Sequence, residues 1–146
     1  MLRKVAGCFV SLVLTACVGA RADEATLPFK VIVNPSVAGR AVPRDVLAQI
    51  YLGAVVRWGN GSSIAAVDLS STSPVRQAFS SRVLGMSVDG VKHHWLRKIA
   101  AGGQRPPLSK SSDEEVIAFV AGQRGGVGYV APETPVPPSL LEVTVQ

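Results

Sequence analysis

Hydroxyl side chains are concentrated in one short segment, residues 70–74, which ends in a proline. The segment follows residues 64–69, which we predict to form a buried strand, and its proline is typical of the first residue of a helix. A helix N-terminus presents free N–H groups and a positive dipole end to an anion. We therefore expect Ser71, Thr72, Ser73 and Arg76 to bind a small anion. Ordinary N-capping by Ser73 explains the same pattern, and does so in more proteins than a ligand does.

Other residue types with chemical potential are sparse. His93 and His94 are adjacent, and neighbouring helical residues diverge too far to hold one metal ion together. The acids at residues 113–115 fit helix capping. No catalytic triad, metal-ligand spacing, phosphate-binding loop or dinucleotide fingerprint is present. We expect a binding protein rather than an enzyme, without a cofactor or a metal.

The first 22 residues have the pattern of a secretory signal peptide. Arg3 and Lys4 precede a short apolar run, and the small-x-small pattern at residues 20–22 predicts cleavage after Ala22. A lipoprotein-like segment that ends at Cys17 is the alternative, and it would anchor the protein to a membrane. We favour the first site and expect a periplasmic or secreted protein with one α/β domain at residues 23–146.

Removal of the signal peptide changes the composition of the protein. Both cysteines, Cys8 and Cys17, lie within it, so the domain would hold no disulfide. Three of the 15 Lys and Arg residues would also be lost. The 12 that remain, together with the ten Asp and Glu residues, give a net charge of about +2. No basic cluster with interleaved aromatic residues is present, so we do not expect nucleic acid as a partner.

Apolar periodicity and turn residues predict alternating strands and helices along the domain. The predicted strands are 29–33, 64–69, 127–130 and 140–145, and the predicted helices are 43–52, 74–84, 88–101 and 113–121. We interpret residues 104–111 as a linker and residues 140–145 as an edge strand. The order favours a mostly parallel sheet flanked by helices.

Several short motifs occur in an order that resembles the PstS-like phosphate-binding proteins of ABC transporters. They are Asn34-Pro35, Ile50-Tyr51-Leu52-Gly53, Arg57-Trp58, Ser73-Pro74-Val75-Arg76 and residues 126–130, and the similarity covers nearly all of residues 29–131. The resemblance implies a single periplasmic-binding-protein-like lobe, since the chain is too short for two. It also implies a phosphate or related small anion as ligand and a membrane transporter as partner.

The sequence departs from the family pattern at the expected phosphate contacts. Pro74 and Val75 stand where the family has glycine and threonine, and Leu69 stands in place of an arginine. The resemblance, with these departures, thus implies weak oxyanion binding through Ser71, Thr72, Ser73 and Arg76. The alternative is a non-transport interaction or scaffold protein that has lost high-affinity binding and docks on a membrane or periplasmic partner or forms a homodimer.

Overall fold

The computed structural model describes residues 26–146, so the predicted signal peptide lies outside the described residues. The strands are β1 (Lys30–Val33), β2 (Ala41–Val42), β3 (Ala65–Leu69), β4 (Leu108–Lys110), β5 (Gly126–Val130) and β6 (Leu141–Val145). The helices are α1 (Arg44–Tyr51), α2 (Pro74–Phe79) with a π-helical turn (Ser80–Leu84) directly after it, α3 (Val88–Ala100) and α4 (Asp113–Gly122).

The strands form one six-stranded sheet in the order β2-β6-β1-β5-β3-β4. β3 pairs in parallel with β4 and β5, and β2 pairs in parallel with β6. β1 is antiparallel to both of its neighbours, β5 and β6. Five strands therefore run in one direction and β1 runs in the other. This confirms the predicted α/β fold with a mostly parallel sheet flanked by helices.

Helix starts follow the capping residues that the sequence supplies. Ser73, Ser87 and Ser112 are the N-caps of α2, α3 and α4, and each side chain accepts a hydrogen bond from the backbone N–H three residues later. The π-helical turn ends at Gly85, whose φ of 64° lies in the left-handed region that favours glycine. The predicted helix at residues 74–84 is thus one continuous helical segment that begins as an α-helix and ends as a π-helical turn.

The core lies on both faces of β5, whose five residues are all buried. Successive side chains of a strand point to opposite faces. Gly128 faces α4, where an added Cβ would lie 2.7 Å from Val116 Cγ1. Tyr129 faces α1 and α2, where its ring stacks on Phe79 with 3.9 Å between centroids. The sheet is therefore covered by α4 on one face and by α1 and α2 on the other.

Three features of the sheet differ from the sequence-based expectation. β6 is not an edge strand, because it pairs with β1 on one side and with β2 on the other. β4 lies within the segment that we interpreted as a linker, and it forms one edge of the sheet. β2 has only two residues and forms the other edge, and it was not predicted. Within residues 26–146, no helix is long and apolar enough to cross a membrane.

Candidate functional site

The hydroxyl segment connects the end of β3 to the start of α2, at the carboxyl end of a parallel strand. Ser71 and Thr72 are exposed. The Thr72 hydroxyl lies 3.1 Å from that of Ser70, and the Ser73 hydroxyl accepts a hydrogen bond from Arg76 N at 3.3 Å. Ser73 therefore acts as a helix cap. The hydroxyl of Ser71 has no hydrogen-bond partner among the described residues and is open to a ligand.

Arg76, in contrast, lies below this surface in a buried ion pair. Its Nη1 contacts Oδ2 of Asp68, and the two residues are only 9% and 6% exposed. Burial lowers the pKa of Arg76 below its ordinary value because desolvation disfavours the charge, while the nearby Tyr129 and Tyr51 raise it. The Asp68 carboxylate compensates the buried charge. Arg76 Nε has no hydrogen-bond partner among the described residues.

The Asp68 carboxylate is held by three donors in total. Besides Arg76, its Oδ1 accepts hydrogen bonds from the Tyr129 hydroxyl and, at 3.0 Å, from Leu69 N. Tyr51 lies behind it and donates to Val67 O at 2.9 Å. Burial raises the pKa of Tyr51 and of Tyr129 above the ordinary tyrosine value. Asp68 therefore orders the end of β3, and its carboxylate already accepts from three protein donors.

A groove of about 440 Å³ opens above this pair, between the carboxyl end of β3, strand β4 with the two prolines before it, and helix α3. Its polar wall includes Ser70, Ser71, Ser109 and Lys92, with Asp68 and Arg76 among the lining residues. Its apolar wall consists mainly of Trp95, Leu96 and Ile99, from the second half of α3, and of Pro106 and Pro107, whereas Lys92 comes from the first half of the same helix. A volume in this range is typical of small-molecule sites.

The four site residues predicted from the sequence are only partly brought together. Ser71 and Arg76 line the groove, whereas Thr72 and Ser73 are not among its lining residues. Lys92 and Ser109 line it too, and they were missed. Ser109 lies on β4, which we interpreted as a linker, and Lys92 belongs to a helix face that is usually only solvated. Pro106 and Pro107, which precede β4, were the sequence feature that could have indicated this part of the groove.

One of the two adjacent histidines, His94, has a structural role. His94 Nε2 lies 3.0 Å from Leu52 O, and Lys98 Nζ donates to the same carbonyl at 3.1 Å, at the C-terminal end of α1. His93 is exposed. Within the part of the chain that the structure describes, no group of three or more His, Cys, Asp or Glu residues is placed to hold a metal ion.

Several solved structures of phosphate-receptor or phosphate-binding type are similar to this chain in fold. An ABC-type phosphate transport receptor from Vibrio cholerae superposes with a TM-score of 0.62 at 21% identity, over 82% of this chain and 48% of that one. The fold is that of a PstS-type lobe. PstS from Borrelia burgdorferi gives a TM-score of 0.64 at 15% identity, over 82% of this chain and 47% of its own.

A third PstS-type structure was solved with its ligand. It is a putative phosphate ABC transporter substrate-binding protein with bound phosphate from Clostridium perfringens, with a TM-score of 0.61, 16% identity and coverage of 81% and 44%. The chain thus spans less than half the length of each of these proteins. No protein-family model matches the sequence, and no curated protein matches it. The fold implied by the sequence resemblance is confirmed.

Proposed function

We propose that the protein is an exported, substrate-binding-like protein that binds phosphate or another small oxyanion weakly, for an ABC transporter. The observation that carries the proposal is the groove at the carboxyl end of β3, beside β4, with the nine-tenths buried Arg76 at its base and Ser71 at its rim. Ligands of open α/β sheets bind at this end of the strands. The PstS-type fold supports the choice of an oxyanion.

The predicted weakness of binding has a physical cause in the Asp68–Arg76 pair. A guanidinium that is already paired with a carboxylate offers an anion little net charge. Ser73 is occupied as a cap and the Thr72 hydroxyl lies within hydrogen-bond distance of Ser70, so the donors exposed at the rim are Ser71 and Lys92. We expect millimolar affinity that falls with added salt, because surface electrostatics is screened.

A phosphate titration followed by NMR tests this proposal with protein purified from cells that express the full chain. Amide signals of residues 70–73, 75 and 76 should shift on addition of millimolar phosphate; Pro74 has no amide proton. Ser71→Ala should weaken binding by about two- to tenfold, the effect of one lost hydrogen bond. Ser139→Ala, an exposed serine before β6, is the matched control. Unchanged spectra in the wild type would contradict oxyanion binding.

Localisation is part of the same proposal. We place the protein in the periplasm or outside the cell, with cleavage after Ala22, and we retain lipidation at Cys17 as the alternative. We also propose that the protein is not an enzyme. The structural neighbours named above are described as binding or receptor proteins, which supports this choice.

A second candidate function, a docking scaffold, is favoured by the distribution of exposed apolar residues. Among residues 26–146, four large apolar side chains are exposed: Val56, Leu96, Ile99 and Leu108. All four line two neighbouring grooves that share Trp95, Pro106 and Pro107. Exposed apolar side chains along adjoining grooves offer a surface on which a partner can dock. Light scattering tests a homodimer at this surface, and a strictly monomeric protein that captures no membrane or periplasmic partner would argue against the scaffold function.

A further inference from the structure

The groove above the Asp68–Arg76 pair is chemically divided along its length. Ser70 and Ser71, just after β3, and Ser109 of β4 supply hydroxyl groups, and Lys92 in the first half of α3 supplies an ammonium group. The apolar wall is built mainly from the second half of α3 and from the two prolines before β4. An inorganic oxyanion has only polar atoms, so it would use one wall of this groove and leave the other without contacts.

The charges that line the groove cancel formally. Asp68 neutralises Arg76 within the buried pair, and Asp89 offsets Lys92 near the rim. Net Coulombic attraction for a free anion is therefore small. Binding energy at such a site has to come largely from burial of apolar area together with directed hydrogen bonds.

The apolar wall has surface to offer for that burial. Leu96 and Ile99 are 52% and 47% exposed, although they lie one turn apart beside the buried Trp95. Apolar area removed from water stabilises a complex by about 25 cal/mol per Å². A ligand with a hydrocarbon portion would cover these two side chains, whereas phosphate itself would not.

We propose that the ligand of this groove is an organic oxyanion, such as a phosphonate or phosphate monoester with an alkyl substituent, rather than inorganic phosphate. Its anionic head lies at Ser70, Ser71 and Lys92, and its hydrocarbon portion lies on Leu96 and Ile99. The inference rests on the proposed oxyanion-binding function of the same groove and specifies its ligand class.

Calorimetric titration with a series of probes tests the inference on protein purified from cells that express the full chain. The probes are inorganic phosphate, methylphosphonate, butylphosphonate, hexylphosphonate and 1-hexanol. Each methylene that reaches the apolar wall should strengthen binding by up to about fourfold. Hexylphosphonate should thus bind at least tenfold more tightly than methylphosphonate, and 1-hexanol, which lacks the anionic head, should bind much more weakly.

Two variants locate the effect on the molecule. The double variant Leu96→Ser/Ile99→Ser should remove most of the dependence on chain length. Val56→Ser is the matched control, because Val56 is a similarly exposed apolar residue, at 44%, that does not line this groove.

The possible outcomes separate this inference from the proposed function. If phosphate and all phosphonates bind equally, the organic ligand class is wrong and oxyanion binding stands. If 1-hexanol binds as tightly as hexylphosphonate, the anionic head has no role and the inference is overturned. If no phosphonate and no phosphate binds, both the inference and the proposed function fail.

Discussion

Asp68 and Arg76 lie eight positions apart in the sequence, at the end of β3 and within the first turns of α2. Their side chains meet beneath the hydroxyl segment, which fixes the position of that segment relative to the sheet. The sequence pattern suggested Arg76 as an anion ligand, and it offered no sign that a carboxylate would reach the guanidinium first. Side-chain pairing between two elements depends on their packing, and local spacing does not specify it.

Removal of one member of this pair should be costly. Asp68→Asn leaves the Arg76 charge buried without its counter-charge, and we expect a loss of about 3–5 kcal/mol in the free energy of unfolding. The double variant Asp68→Asn/Arg76→Met should lose less than the sum of the two single losses. Urea denaturation of the four proteins measures this coupling.

Arg82→Met is the control for the loss of an arginine as such. Arg82 is exposed in the π-helical turn, so its replacement should change the free energy of unfolding by no more than about 0.5 kcal/mol. Strictly additive losses at Asp68 and Arg76 would show that the two residues do not act as a pair.

The two tyrosines of the chain, Tyr51 and Tyr129, should resist ionisation in the folded protein. Burial raises the pKa of both above the ordinary value of 10.0. Above pH 10.0 the unfolded chain releases these protons and the folded chain retains them. The contribution of the two buried tyrosines to stability is therefore fully present below that pH and is lost as the pH rises beyond it.

Ultraviolet absorbance of tyrosinate, recorded together with circular dichroism across an alkaline titration, checks this prediction. Tyrosinate should form only as the native dichroism disappears. Tyr129→Phe should leave a single ionising group with the same behaviour. Ionisation near pH 10.0 in a fully folded protein would mean that the two phenols are accessible to solvent.

At the scale of elements, α4 packs closely on β5. Gly128 lies under α4, and an added Cβ would meet Val116 Cγ1 at 2.7 Å and Val67 Cγ1 at 2.9 Å. Both valines are fully buried and stiff at χ1, so neither can move aside easily. The sequence alone marks residue 128 only as a glycine within a strand.

Gly128→Ala should therefore destabilise the protein by about 1–3 kcal/mol through overpacking. Gly122→Ala, in the last turn of α4, is the control, since no atom lies within 4 Å of its added Cβ and alanine favours a helix. Chemical denaturation of both variants gives the comparison. Equal stability of the two variants would show that α4 does not pack closely on β5.

Strands with strong local patterns were predicted well, and strands that depend on partners were not. β1, β3 and β5 are short, mostly apolar runs, and their bounds were predicted to within one residue. β2 and β4 have two and three residues and exist only because β6 and β3 lie beside them. The interior position of β6 has the same cause, because pairing between distant segments has no local signal.

At the scale of the whole molecule, the chain carries one lobe of a fold that its structural neighbours have in proteins about twice as long. The groove beside α3 is open to solvent. The net charge of residues 23–146, about +2, is too small to attract anions by the overall field of this region. Recognition would therefore depend on the groups in the groove itself.

Cleavage of the predicted signal peptide can be tested directly on the whole chain. When the full chain is expressed in a Gram-negative host, mass spectrometry of the periplasmic fraction should detect a protein that begins at Asp23, because Ala20 and Ala22 fit the cleavage pattern. Ala22→Arg should block this cleavage and Ala22→Ser should not, since leader peptidase requires a small residue there. Cys17→Ser should have no effect. A lipid-modified product that begins at Cys17 and is lost in Cys17→Ser would instead establish the lipoprotein alternative, and the groove would then act at the membrane surface.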